Sequence, residues 1–354
     1  MNEQDISSQL QERVITARSN GAALSICGGN TKSFYGRHPA GEVFDVSANQ
    51  GVINYAPTEL VITARAGTPL KVIEETLDEQ NQMLAFEPPH YGDNATLGGM
   101  IACNLSGPRR PYAGAARDFM LGCKLLNGKG EILSFGGEVM KNVAGYDVSR
   151  LMTGAMGTLG ILLEISLKVL PKPETELTLV LPATDKVALD KMHQWARQPL
   201  PVTATCYDGG DLYIRLSGAS GAVSSARKIV GGDEVPAEKS FWHKIREQQH
   251  AFFSTQHPLW RLSLASNTPP LDIDGKWLYE WGGALRWLIS EVPAEEIRKA
   301  VSNANGHATY FRGAERIDNV FQALPGGLMK IHHNLKKAFD PDGILNPGRM
   351  YAEL

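Results

Sequence analysis

The sequence predicts an α+β protein in two parts, and three observations carry that prediction. Up to residue 79 the pattern runs α, β, β, β, β, α, and more strands follow to residue 170. Pro171-Lys172-Pro173 then reads as a linker or domain crossing, two prolines stiffening the chain just after a strand. Beyond it the texture changes: glycines thin out and all six tryptophans appear.

Each element has a local reason. Asp5 to Asn20 reads as a helix, with Leu10, Val14 and Ala17 on one stripe and Asn20-Gly21 as its stop. Ala23 to Cys27, Val43 to Val46, Val52 to Tyr55 and Leu60 to Ala66 read as strands. Thr68-Pro69 reads as an N-cap and first helical residue ahead of Leu70, Ile73 and Leu77. Phe119 to Leu126 and Glu131 to Phe135 flank the turn Asn127-Gly128-Lys129-Gly130 and make a hairpin. Ile161 to Val169 alternates strictly, the period of a strand. Past the prolines, strands are expected at 177–181, 203–207, 212–216, 259–264 and 308–311. Helices are expected at 186–197, 222–230, 241–250 and 294–304. That order suits a layered βαββαβ unit. One more helix carries Leu328, Ile331, Leu335 and Phe339 up to Asp340-Pro341. No internal repeat is visible.

Composition narrows the function. A length of 354 residues suits two domains or one large one, and 43% hydrophobic residues against 21% charged ones permit an ordinary core. A net charge of −3 argues against a nucleic-acid surface. No apolar run reaches the ~18 residues of a membrane span, and the polar start is unlike a leader peptide. The four cysteines (Cys27, Cys103, Cys123, Cys206) lack a C-x-x-C pair, so neither a disulfide framework nor iron–sulfur ligation is expected. No metal-ligand spacing is present and no metal is expected. These features read as a cytoplasmic protein.

Chemistry concentrates in three glycine-rich segments: Gly28 to Ser33, Leu97 to Gly107 and Gly154 to Gly160. Glycines let a backbone come close to a ligand, so that N–H groups reach phosphate oxygens. Each segment alone is equally a tight turn of a β-rich domain; three together favour a bound dinucleotide. The NAD fingerprint G-x-G-x-x-G is missing, because Gly154, Gly157 and Gly160 precede a strand rather than a helix. A nucleoside-triphosphate loop is missing as well.

These residues resemble the FAD-binding proteins of the p-cresol methylhydroxylase (PCMH) / vanillyl-alcohol oxidase type. The resemblance rests on Gly28-Gly29-Asn30-Thr31, on Thr96 to Asn104 (T-[IL]-G-G-x-x-A-x-N) and on Gly157-Thr158-Leu159-Gly160-Ile161. Lys141 to Asp147, Asp340-Pro341 and Asn346-Pro347-Gly348-Arg349 also match. The chain throughout, including Trp281 to Trp287, is similar to the FAD-binding subunits of bacterial glycolate oxidases (glycolate dehydrogenases). The resemblance implies a two-lobed PCMH-type FAD-binding domain over 1–172, a smaller ferredoxin-like α+β cap over 173–339, and a segment 340–354 that returns to the first domain. It implies that Gly28, Gly29, Asn30 and Thr31 hold the FAD diphosphate and that Thr96, Gly98, Gly99 and Asn104 line it and the path to the flavin. Gly157, Gly160 and Ile161 would sit near the adenine or flavin end. Asn30 stands where some members attach FAD through a histidine, which implies non-covalent FAD; His38 reads as an exposed loop residue.

The cap lacks the clustered histidines of the catalytic glycolate and lactate members. His307 is left as a candidate base and Arg109 as a candidate carboxylate contact, with Arg110, Arg117 and Lys141 as further cations. His332 and His333 lie ~100° apart on a helix and cannot face one ligand. The implied function is oxidation of glycolate to glyoxylate by hydride transfer to flavin, within a heteromeric complex. Its expected partners are a second FAD-linked glycolate oxidase subunit, an iron–sulfur glycolate oxidase subunit and a small 2-hydroxy acid. Nucleic acid and a membrane anchor in this chain are not expected, so contact with the inner membrane would be peripheral, through partner subunits. Two alternatives stay open: a self-sufficient FAD-dependent 2-hydroxy-acid dehydrogenase, and a degenerate flavoprotein serving as a scaffold.

Overall fold

The computed structural model describes residues 4–138, 146–236, 240–313 and 319–354. In chain order its elements are α1 (Ser7–Ser19), β1 (Leu24–Cys27), β2 (Glu42–Asp45), β3 (Val52–Ala56), β4 (Val61–Arg65), α2 (Leu70–Asp78), β5 (Gln82–Met83), α3 (Leu97–Cys103), α4 (Arg110–Ala113), α5 (Ala116–Phe119), β6 (Met120–Leu126), β7 (Ile132–Gly136) and α6 (Val148–Met152). There follow β8 (Ile161–Lys168), β9 (Leu170–Pro171), β10 (Thr175–Pro182), α7 (Asp185–Ala196), β11 (Val202–Tyr207), β12 (Asp211–Gly218), α8 (Ser220–Val230), β13 (Asp233–Glu234) and α9 (Phe241–Arg246). The last are β14 (Leu259–Ser263), β15 (Lys276–Glu280), β16 (Leu285–Ile289), α10 (Ala294–Asn303), β17 (His307–Arg312) and α11 (Gly326–Phe339). The chain divides into two compact units: 1–105 with 115–171 and 323–354, and 106–114 with 172–322.

In the first unit, β1 and β2 pair in parallel, and β3-β4-β8-β6-β7 form an antiparallel sheet. The expected stripe of α1 (Leu10, Val14, Ala17) is buried against Leu24, Phe44, Leu126, Ile161, Leu163, Ile344 and Leu345. The last two belong to the C-terminal segment, which adds a parallel bridge from Leu345 to Leu24. Thr68 is not the N-cap of α2: Pro69 takes that position, and the buried Thr68 hydroxyl accepts from the Gly51 amide at 2.9 Å. A hydroxyl inside the core finds a main-chain partner there, and the helix begins without a side-chain cap. Lys336 is the buried residue of α11; it donates to Asp340 (2.7 Å), to the carbonyl of Thr158 (2.9 Å) and to that of Leu345 (2.6 Å). These bonds explain why 323–339 groups with the first unit rather than with the expected cap. Segment 106–114 groups with the second, where the Trp281 indole donates to the Gly107 carbonyl at 3.0 Å.

The second unit is one eight-stranded antiparallel sheet, β13-β10-β12-β11-β15-β16-β14-β17. It is two βαββαβ-like halves. From the β13 end, the first half places its strands in the order fourth, first, third, second; from the β17 end, β17-β14-β16-β15 repeats that order. Strands β11 and β15 join the halves through Cys206 opposite Glu280 and Tyr207 opposite Tyr279. Helices α7 and α8 cover the first half and α10 the second. The second half has no helix between β14 and β15 among the described residues. The repeat lives in strand order and not in residue identities, so no sequence repeat announces it. The expected helix 241–250 stops at Arg246, because Gln248 takes a positive φ of 54°.

Candidate functional site

The three glycine-bearing segments converge in the first unit. They line a common, partly open cleft, the concave shape of a small-molecule site. Its walls include Gly28, Gly29, Asn30 and Thr31 from the loop after β1, Thr96, Gly98 and Gly99 at the start of α3, and Gly157, Gly160 and Ile161 ahead of and at β8. Asn104 caps α3 at φ 51° and is not on the wall; its buried Oδ1 has no hydrogen-bond partner among the described residues.

The glycines hold the segments together before any ligand is considered. A Cβ on Gly29 would stand 1.4 Å from the carbonyl oxygen of Asn94, and one on Gly28 2.6 Å from Thr96 Oγ1. One on Gly98 would meet the Ala66 Cβ at 2.8 Å. At Gly157, with φ 74°, it would meet Asn346 Nδ2 at 2.6 Å. At Gly29 backbone therefore lies on backbone, and at the other three a neighbouring side chain fills the space a Cβ would take, which only glycine permits.

The amides divide into two groups. Those at the start of α3 are engaged: Leu97 donates to the Thr68 carbonyl, Gly98 to that of Ala66 and Gly99 to Thr96 Oγ1. Those of Gly28, Gly29, Asn30 and Thr31 make no hydrogen bond among the described residues. Asn30 has φ 56°, and a left-handed residue within such a loop is the kind of turn that lets neighbouring N–H groups receive an anion. A dinucleotide diphosphate fits such a run, and the close-packed glycine walls keep side chains out of its path.

Three residues not among the expected contacts shape the cleft. Asn346 is buried; its Oδ1 accepts from the Ile26 amide (2.6 Å) and its Nδ2 donates to the Met156 carbonyl (2.7 Å). It pins the C-terminal segment to both β1 and the loop before β8. Lys32 and Arg349 are wall residues as well. The match of Asn346 to Arg349 was legible, whereas the partners some 190 to 320 residues away were not. Cys27 and Cys103 also line the cleft. Burial pushes both thiols up, with Asp45 adding to the shift at Cys27, while Lys32 and Arg349 pull Cys103 part of the way back. Neither is an activated thiolate.

The expected catalytic side chains lie in the second unit and do not line this cleft. Arg109 is buried, donating to Glu176 Oε2 at 2.7 Å and to Ser217 Oγ at 3.3 Å. Arg110 stacks on Trp281, 4.4 Å from the ring centroid. His307 opens β17 opposite Ser263, and partial burial with the nearby Arg261 holds its imidazole below the ordinary value. Arg117 and His38 are exposed, and Lys141 to Gly145 lie outside the described residues. Tyr146 is fully exposed, and Asp147 caps α6 by accepting from the Arg150 amide. Among the described residues no three His, Cys, Asp or Glu side chains come together as a metal site.

This arrangement defines a FAD-binding protein of the PCMH type. Residues 6–136 match the family described as FAD binding domain. The fold aligns with a solved alkyldihydroxyacetonephosphate synthase at a TM-score of 0.67 and 15% identity, over 96% of this chain and 74% of that one. The glycolate oxidase subunit GlcE of Escherichia coli K12 is 50% identical over the full length of both chains. The glycolate oxidase subunit GlcD of Bacillus subtilis is 27% identical over 76% of this chain and 71% of its own. A D-lactate dehydrogenase of Archaeoglobus fulgidus is 32% identical over 39% of this chain and 31% of its own. The chain belongs to the glycolate oxidase subunit family typified by GlcE.

Proposed function

We propose that this chain is the FAD-binding subunit of a heteromeric glycolate oxidase, and that its cleft holds FAD without a covalent bond. The observation that carries the reading is the run of unpaired amides from Gly28 to Thr31 in a glycine-walled cleft, in a chain half identical to a glycolate oxidase subunit. When bound, FAD supplies a two-electron acceptor for oxidation of the glycolate α-carbon. The Gly28 to Thr31 amides take the diphosphate. Gly98 and Gly99 keep the wall free of side chains, and Gly157, Gly160 and Ile161 bound the far side of the cleft. Asn30 has no nucleophilic side chain, which supports non-covalent attachment.

The partners are a second FAD-linked subunit, which binds glycolate, and an iron–sulfur subunit, which receives electrons. Two features support that division. Arg109 is committed to Glu176 and Ser217, and the cap carries no cluster of histidines for a hydroxy acid. No described helix is long and apolar enough to cross a membrane. The complex works in the cytoplasm, with inner-membrane contact made through its partners. Anaerobic titration of the isolated chain, loaded with FAD, with glycolate tests this assignment. The flavin absorbance stays unchanged alone and bleaches once the partner subunits are added.

A second reading, a self-sufficient 2-hydroxy-acid dehydrogenase, draws on Arg261 and His307, neighbours on β14 and β17. Bleaching of the isolated chain by glycolate, abolished by Arg261→Met, selects it instead.

A further inference from the structure

Two cations converge on the anion-receiving loop. Lys32 directly follows it in sequence, is 7% exposed and lines the cleft. Its Nζ donates to the His90 carbonyl at 3.0 Å and lies 3.4 Å from Thr31 Oγ1, which itself donates to the same carbonyl at 2.7 Å. Arg349 reaches the loop from the C-terminal segment. Its guanidinium donates to the carbonyls of Arg37 (2.6 Å), Tyr35 (2.7 Å) and Lys32 (3.4 Å). Main-chain carbonyls hold both cations in place at the loop. Both charges favour the ionised form of one further lining residue, Cys103.

We infer that Lys32 and Arg349 are the charge partners of the bound diphosphate, and that they make this chain select a dinucleotide flavin over its phosphate-free counterpart. This rests on the FAD reading above. The loop amides supply direction, and the two side chains supply net positive charge in a site where screening by water is weak. A diphosphate carries two negative charges on its bridging phosphates, and a wall of neutral amides leaves that charge only partly compensated. Charge-assisted contacts are the stronger class of hydrogen bond.

The test is flavin binding by the full-length chain, read by quenching of flavin fluorescence, with FAD, FMN and riboflavin as probes at low and at tenfold higher NaCl. Lys32→Met weakens FAD about tenfold, the effect of losing one contact to a charged group, and changes riboflavin by less than about twofold. Lys32→Arg restores FAD binding. Arg349→Met acts in the same direction, but it also removes the latch on 32–37; circular dichroism separates misfolding from lost affinity. In the wild type, added salt weakens FAD and leaves riboflavin unchanged, a readout that needs no variant. An equal response of FAD and riboflavin to salt, or FAD affinity unchanged in Lys32→Met, overturns the inference and leaves the FAD reading standing. A wild-type chain that binds no flavin overturns both.

Discussion

The two units use polar groups in opposite ways. In the first, the cleft is built from main chain: glycines bring strands and loops into contact, and one run of amides is left without partners. In the second, the polar side chains are spent on structure. Arg286 is fully buried and donates to the carbonyls of Thr268, Pro269 and Gly283. The Trp287 indole donates to Glu280 Oε1 at 2.8 Å, and Arg109 is held by Glu176 and Ser217. Ligand chemistry belongs where backbone groups are left over, and stiffness where buried side chains are held by hydrogen bonds.

Substitutions sharpen that contrast. The largest effect is expected at Gly29→Ala, whose Cβ has no room beside the Asn94 carbonyl. It lowers stability by more than about 3 kcal/mol in urea unfolding, as overpacking against rigid backbone does. Gly326→Ala, with open space around it, changes stability by less than about 0.5 kcal/mol. Asn346→Ala comes next. It strands the Ile26 amide and the Met156 carbonyl in the interior, costs about 3 kcal/mol and lowers FAD content per folded chain. Arg286→Met costs about 2 kcal/mol by leaving buried carbonyls without donors, yet FAD content per folded chain is unchanged. Lost flavin with Arg286→Met and retained flavin with Asn346→Ala would reverse the assignment of the two units.

The smallest effect is a pH response. Burial lowers the His250 pKa below 6.5, with Asp208 opposing and Lys244 adding to the shift. The folded state then binds fewer protons than the unfolded state between its lowered pKa and 6.5. Stability is therefore complete above 6.5 and declines as pH falls through that window. The expected change is less than about 1 kcal/mol between pH 7.5 and 5.5. It is read as a melting-temperature difference that His250→Gln removes.

The sequence made the cleft legible because its parts are backbone parts. Gly28-Gly29 after a strand and Gly157 to Gly160 before one announce a close approach whatever lies opposite. Lys32 and Arg349 escaped because nothing local marks them. Lys32 sits among small polar residues, and Arg349 gains its meaning from carbonyls more than 310 residues away. The doubled sheet escaped for a related reason. Lys276–Glu280 and Leu285–Ile289 are strands separated by Trp281-Gly282-Gly283-Ala284, where Trp281 takes a φ of 55° that its side chain disfavours. The pairing of β11 with β15 spans some 70 residues, and no short-range pattern specifies it. Thr68 was misread because a hydroxyl before a proline-initiated helix looks like a cap until a buried partner outcompetes that role.

The most direct measurement is the flavin content of the purified full-length chain after incubation with excess FAD and gel filtration, followed by acid precipitation. FAD co-eluting in stoichiometric amount and released wholly into the acid supernatant is the predicted result. A chain that elutes folded and without flavin, or one whose flavin stays with the precipitate, contradicts the account.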